Sequence, residues 1–136
     1  MGGSSSIRLA LAHRAMVEGA RISILILSLE KLEEACNAIC LATGIEVTAF
    51  TADVRDFKVV KRAVDNADPI NVLLLNHGVF VELELELEKM ELSDVKFTMN
   101  INLMGTLNLI KVALPAMKNR SDPLPASIAL VSSQAG

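Results

Sequence analysis

The chain has 136 residues, of which 51% are hydrophobic and 21% are charged, and its formal net charge is −3. This length suits one domain with its own core, and the composition excludes a disordered segment. The acidic balance, the absence of a basic stripe and the lack of Trp and Tyr exclude a nucleic-acid surface. Cys36 and Cys40 are typical of a reducing compartment, and no further Cys or His at suitable spacing makes them a metal site.

Helix-like and strand-like segments alternate from the start of the chain, which is typical of a parallel α/β sheet. Apolar residues at helical spacing predict a first helix over residues 7–18, before Gly19. The short apolar run 21–27 predicts a buried strand. Ser28 is suited to cap a second helix, which we expect to end at Gly44.

The alternation continues to the end of the sequence. We predict strands over 45–50, 70–76 and 126–133, and helices over 55–66 and from about Ser93 towards Pro115. The run 70–76 is almost uniformly apolar, so we expect it to be buried on both faces. The pattern begins with a helix, whereas a doubly wound domain begins with a strand.

The segment 81–92 alternates apolar and acidic residues as "VELELELEKMEL". Its period of two alone predicts a half-exposed strand. Its repeated Leu-Glu pairs favour a tandem expansion in a loop, with a solvated acidic face rather than a binding surface.

Four motifs occur in order across nearly the whole chain: "EGARISIL", "VTAFTADVRD", "VKFTMNINLMGTLNLIK" and "PASIALVSSQAG". On these motifs the chain resembles the short-chain dehydrogenases/reductases, and among them the plant-type 3-ketodihydrosphingosine (3-dehydrosphinganine) reductases. The resemblance implies an α/β fold with a Rossmann-like, doubly wound parallel sheet. Residues 1–136 would form a partial NAD(P)-binding domain, truncated so that the first strand and the C-terminal half are missing.

The family's Thr-Gly-x-x-x-Gly-x-Gly loop falls on residues 1–8, where "GGSSSIR" follows Met1. The resemblance places cofactor contacts at Gly2, Ser4, Ser5, Ser6 and Ile7. Such a loop offers backbone N–H groups at a helix N-terminus to the pyrophosphate, and its glycines permit the turn and the close approach. Because Ser6 and Arg8 stand at glycine positions, we expect weakened binding of NADPH.

Further cofactor contacts are implied after the second and third visible strands. Asp53 and Val54 match the family's adenine-contacting positions, although Asp53 also suits a helix cap. Asn76 and Gly78 match the Asn-Ala-Gly turn that steadies the sheet and lines the cofactor cleft, with His77 as a wall residue. Leu27 stands where the reductases carry the arginine that grips the 2′-phosphate of NADPH, so that contact is expected to be lost.

The resemblance also assigns catalytic residues. Asn102 matches the residue that supports a proton-relay water by kinking the long helix, and Ser133 (or its neighbour Ser132) matches the serine that polarises the substrate carbonyl. The family's Tyr-x-x-x-Lys motif is absent, and the chain contains no tyrosine. Since a positioned general acid contributes about 10²–10⁴-fold, we expect no catalysis from these residues alone.

Partners and location follow from the same resemblance. It implies a sphingoid ketone substrate and a homo- or hetero-dimer through the long helix 93–115. It also implies that the protein acts at the cytosolic face of the endoplasmic reticulum membrane. The cytoplasm is the alternative location, because no anchor is evident. Strands 21–27 and 70–76 would flank the missing first strand. They must therefore pair with each other, recruit another molecule or leave open edges. The missing C-terminal half would also uncover the apolar face of the long helix that carries Phe97, Ile101 and Leu109. Both features favour association and poor solubility.

Two alternatives to a reductase remain from the sequence. A degenerate, non-catalytic paralogue would act as a dimer partner or a weak nucleotide binder, as Ser6, Arg8 and Leu27 suggest. The opening Met1-Gly2 run also fits a loose N-myristoylation pattern, which would suit a membrane-attached adaptor.

Overall fold

The computed structural model describes residues 3–67, 69–79 and 89–132. Helices and strands alternate, and a π-helical segment, here called the π turn, interrupts the last long helix. In chain order the elements are α1 (Gly3–Val17), β1 (Ser23–Ile26), α2 (Leu29–Thr43), β2 (Thr48–Thr51), α3 (Phe57–Asp65), β3 (Val72–Leu75), α4 (Leu92–Met99), the π turn (Asn100–Met104), α5 (Gly105–Lys118) and β4 (Ser127–Leu130). The predicted order of elements is confirmed; the Leu-Glu repeat lies largely outside the described residues.

The strands form two parallel pairs. β1 pairs with β2, with Ser23 opposite Thr48, and β3 pairs with β4, with Val72 opposite Ser127. In the described part of the chain β1 does not pair with β3, so the structure excludes the first of the three alternatives considered for these strands. Among the residues that the structure describes, each of these four strands keeps one edge without a strand partner.

Strand β3 is buried on one face, whereas the sequence predicts burial on both. Leu75 is 4% exposed, but Val72 and Leu74 are 61% and 42% exposed. Helices α3 and α5 cover the face that carries Leu75. The other face lacks a cover within the ranges that the structure describes, which is why its apolar side chains remain in contact with solvent.

The core lies where α3 packs on α5 over this covered face. Val60, Leu75, Leu109 and Val112 form its buried centre, and Leu25 of β1 and Ile128 of β4 pack against it. Leu109 is 7% exposed, so the sequence-based expectation that it lies on an uncovered face of the long helix, with Phe97 and Ile101, is wrong. Both strand pairs therefore share one core.

Helix ends follow the predicted capping chemistry with one correction. The Ser28 hydroxyl accepts from the Lys31 N–H, and α2 ends at Gly44, whose φ of 70° is left-handed. Asp56 caps α3 by accepting from the N–H groups of Lys58 and Val59, so the helix-cap role considered for Asp53 is wrong. Of the described helices, none combines the length and the apolar character needed to cross a bilayer.

Candidate active site

The long helix 92–118 is irregular at its middle. At the π turn the Gly105 N–H donates to the carbonyl of Asn100, five residues back instead of four. Such single π-helical turns widen a helix locally and are frequent at functional sites. The distortion expected at Asn102 is thus present in the structure, and the catalytic role of Asn102 stays a prediction.

The Asn102 carboxamide holds the loop that follows β3. Its Oδ1 accepts from the Val79 N–H at 2.9 Å, and its Nδ2 donates to the Val79 carbonyl at 2.9 Å. A Cβ atom on Gly78 would lie 3.4 Å from Oδ1 of Asn102, so glycine allows the carboxamide to approach the loop closely. The loop of residues 76–79 is therefore fixed against the π turn by a reciprocal pair of hydrogen bonds.

The main chain of Asn102 makes a second link to the same loop. The Thr106 hydroxyl donates to the Asn102 carbonyl at 2.7 Å and lies 3.2 Å from Nε2 of His77. Thr106 is not among the site residues predicted from the sequence. Its only signal is a threonine four residues after Asn102, a spacing at which a helical hydroxyl can bond back to the main chain.

Helix α5 also packs against and hydrogen-bonds to the loop that follows β2. Gly105 is buried, and a Cβ atom at this position would lie 2.6 Å from Cγ2 of Val54. The Asn108 carboxamide donates to the Val54 carbonyl at 2.9 Å. The beginning of α5 thus joins the two loops on which the sequence places cofactor contacts.

We expect Gly105→Ala to lower the free energy of unfolding by about 1–3 kcal/mol, because the added methyl group overlaps the Val54 side chain. This loss would outweigh the gain of up to about 1 kcal/mol that alanine normally brings to a helix. Urea unfolding of the single variant and of Gly105→Ala with Val54→Ala measures the effect. Equal losses with and without Val54→Ala would contradict the contact.

The Asp53 carboxylate forms a hydrogen-bonded ion pair with Arg55. It accepts from the Arg55 N–H at 2.9 Å and from the guanidinium, whose Nη2 lies 2.6 Å from Oδ2. The Arg55 guanidinium also lies 5.7 Å from the ring centre of Phe97 on α4. Hydrogen bonding by Arg55 holds the pKa of Asp53 below its ordinary value of 3.8, and its partial burial opposes this only in part.

Because the pKa of Asp53 is lowered in the folded state, its contribution to stability is present above about pH 4 and is lost as the pH falls through the folded-state pKa. We expect Asp53→Asn to cost stability at pH 7 and progressively less as the pH drops below 4. Urea unfolding of both proteins from pH 7 to pH 3 measures the difference. A difference that is constant over this range would contradict the ion-pair assignment.

The remaining sequence-predicted site residues lie as follows. Helix α1 begins at Gly3, four residues before the predicted helix, so Ser4, Ser5, Ser6 and Ile7 belong to its first turns. Asn76 follows β3, and its buried Nδ2 has no hydrogen-bond partner among the described residues. Gly2 and Ser133 are outside the described residues. The structure therefore brings Val54, Gly78 and Asn102 together at the π turn.

These residues fit a dinucleotide in part. The N-terminus of α1 leaves backbone N–H groups without helical acceptors, which suits a pyrophosphate. The orphaned Nδ2 of Asn76 is a donor that a bound group could satisfy. Leu27, directly after β1, is 60% exposed and apolar, so this position does not fit a 2′-phosphate.

Comparison with solved structures supports the fold. An actinorhodin polyketide ketoreductase variant with NADPH superposes with a TM-score of 0.83 at 24% identity, over 96% of this chain and 51% of the ketoreductase. The L-sorbose reductase of Gluconobacter frateurii, complexed with NADPH and L-sorbose, superposes with a TM-score of 0.78 at 23% identity, over 95% and 49% of the two chains. These likenesses confirm the predicted Rossmann-like α/β fold.

Comparison of sequences gives stronger matches. Two 3-dehydrosphinganine reductases of Arabidopsis thaliana are 61% identical over 134 residues and 58% identical over 135 residues, which is 98% and 99% of this chain. The chain spans about 40% of the length of each of these relatives. The sequence model of the family described as "short chain dehydrogenase" matches residues 1–136. Since this match covers the whole sequence, the chain belongs to the short chain dehydrogenase family.

Proposed function

We propose that a polypeptide containing these residues reduces 3-dehydrosphinganine, a sphingoid ketone, to the corresponding alcohol with NADPH. The observation that carries this proposal is the 61% identity to a reductase of that name across 98% of the chain. The site geometry supports it, because the loop after β3 is bonded to Asn102 of the π turn and the loop after β2 is bonded to the adjoining start of α5. From the resemblance to these reductases we also propose that the reaction takes place at the cytosolic face of the endoplasmic reticulum membrane.

In this proposal each residue has one role, either in cofactor binding or in the reaction. The backbone at Ser4–Ile7 and the loops carrying Asp53, Val54, Asn76 and Gly78 would hold NADPH, which would supply hydride for the carbonyl carbon. Ser133 would polarise the ketone oxygen, and Asn102 would support the water that relays a proton. The tyrosine and lysine of the family are not among these 136 residues, so the proposed activity belongs to a polypeptide that supplies them.

A chimera tests the proposal directly. Residues 1–136 would replace the matching segment of an Arabidopsis thaliana 3-dehydrosphinganine reductase, whose remaining sequence supplies the other catalytic groups. We expect NADPH-dependent formation of the reduced sphingoid base, detected by mass spectrometry. A folded chimera without activity, measured beside the active parent, would contradict the proposal.

Leu27 offers a test of cofactor choice. We expect Leu27→Arg in the chimera to tighten NADPH binding about 10–100-fold relative to NADH, because a charge-assisted hydrogen bond contributes about 1.5–3 kcal/mol. Leu27→Gln has a similar length without the charge and serves as the matched control. The ratio of the dissociation constants for NADPH and NADH is the measurement, and an unchanged ratio in Leu27→Arg would contradict the assignment of this position.

A second candidate function is that of a non-catalytic dimer partner through the long helix. Its support is a set of apolar side chains on this helix that are 37–49% exposed: Phe97, Met104, Leu107 and Leu114. Co-sedimentation of the chain with an intact reductase would support this function. Leu107→Glu should then abolish association, whereas Leu41→Glu, at an 89% exposed position on α2, should not.

A further inference from the structure

We infer that His77 is a positioning residue that acts through Thr106 on the main-chain carbonyl of Asn102. The three groups form a continuous series, with Nε2 of His77 at 3.2 Å from the Thr106 hydroxyl and this hydroxyl at 2.7 Å from the carbonyl oxygen. The catalytic consequence of the inference rests on the proposed function, whereas the hydrogen-bond series itself does not. The family turn resembled here has alanine at the position of His77, and alanine cannot make this contact.

The direction of each hydrogen bond follows from the number of protons available. A threonine hydroxyl carries one hydrogen, and a carbonyl oxygen can only accept. Both contacts can be hydrogen bonds at the same time only if the hydrogen of Thr106 points to Asn102. The remaining contact then requires Nε2 of His77 to donate, so this nitrogen carries a proton and the hydroxyl oxygen is its acceptor.

The same loop is thus tied to both ends of Asn102. Val79 holds the carboxamide through two hydrogen bonds, and His77, two residues earlier, reaches the carbonyl through Thr106. The hydroxyl gives this carbonyl a donor that is independent of the altered main-chain bonding in the π turn. Loss of Thr106 would remove this donor from the carbonyl, and loss of His77 would remove the group that orients the Thr106 hydroxyl. In both cases the carboxamide would stay bonded to Val79.

Nitrogen NMR of the ¹⁵N-histidine-labelled 136-residue chain tests the series without reference to activity. His13→Gln assigns the resonances, since His13 and His77 are the two histidines. We expect Nε2 of His77 to carry a proton that exchanges with solvent more slowly than that of exposed His13. Thr106→Val should remove this protection and Thr106→Ser should keep it. A proton on Nδ1 alone, or protection unaffected by Thr106→Val, would overturn the inference.

Steady-state kinetics of the chimera are a second test, independent of the NMR experiment. We expect Thr106→Val to lower kcat about 10-fold with little change in KM, since small displacements at a reacting centre reduce the rate more than ground-state binding. His77→Leu should have the same effect, whereas His77→Gln should recover most of kcat because the amide Nε2 can still donate. Equal kcat for His77→Leu and His77→Gln would overturn the positioning role. An inactive parent chimera would contradict the proposed function, while the NMR result would still decide on the hydrogen-bond series.

Discussion

Replacement of Asn102 by alanine in the chimera is expected to lower kcat about 100-fold, the size of effect that a displacement of about 1 Å can have on a reacting centre. The carboxamide makes both hydrogen bonds to Val79, and alanine makes neither. The loop of residues 76–79 would then be free to move away from the π turn, taking Asn76 and Gly78 with it. Because Asn102 is exposed, we expect the variant to remain folded.

Asn108→Ala is the matched control for this prediction. Asn108 lies on the same helix and also uses its carboxamide to hold a loop, but its acceptors are the carbonyls of Val54 and Arg55. We expect this variant to raise KM for NADPH and to leave most of kcat. Steady-state kinetics on both variants separate the two effects, and an equal loss of kcat in both would contradict a specific role of Asn102.

The second large effect, a loss of folding stability, is expected when Arg120 is replaced. Its side chain is 6% exposed, and its Nη1 donates to the Ile70 carbonyl at 2.9 Å, while Nη2 donates to the Leu124 carbonyl. Nε lies 3.2 Å from Oδ2 of Asp122, which is close enough for an ion pair although the angle gives no hydrogen bond. Arg120 therefore joins the segments that lead into β3 and β4.

We expect Arg120→Met to lower the free energy of unfolding by about 1–3 kcal/mol, because it leaves two main-chain carbonyls without their donor and removes the cation beside Asp122. Asp122 keeps its hydrogen bonds from Asn71 and from the Leu124 N–H. Urea unfolding measures the loss. Arg14→Met is the control, since Arg14 pairs with Glu18 on the surface of α1, where both side chains are more than half exposed, and we expect a change below about 1 kcal/mol. Similar losses in the two variants would contradict the role of Arg120.

Much of the fold could be predicted from the sequence because local chemistry sets it. The alternating periodicity gives the order of elements, and Ser28 and Gly44 mark the ends of α2 through their own capping chemistry. Exposure was harder to predict. The apolar run of β3 suits burial on both faces, but Val72 and Leu74 depend on what packs above them, which a sequence pattern does not specify. Leu109 was assigned to an uncovered face for the same reason.

The candidate site likewise contains residues that the sequence predicts and contacts that it does not. Asn102, Asp53 and Gly78 could be identified because they stand within motifs that resemble those of a family. The contacts of Thr106 with His77 and of Gly105 with Val54 join residues 29 and 51 positions apart and depend on the π turn. Neither pair has a local sequence pattern. Such long-range contacts follow only from the path of the chain.

We propose that these residues build one wall of a dinucleotide cleft. Titration of the chimera with NADPH, followed by energy transfer to the bound nicotinamide, tests it most directly. The account predicts saturable binding that Ser6→Gly with Arg8→Gly tightens, because glycine at these positions permits the close approach of backbone to pyrophosphate. Absence of saturable binding by a folded chimera, before and after the two glycines are restored, would contradict it.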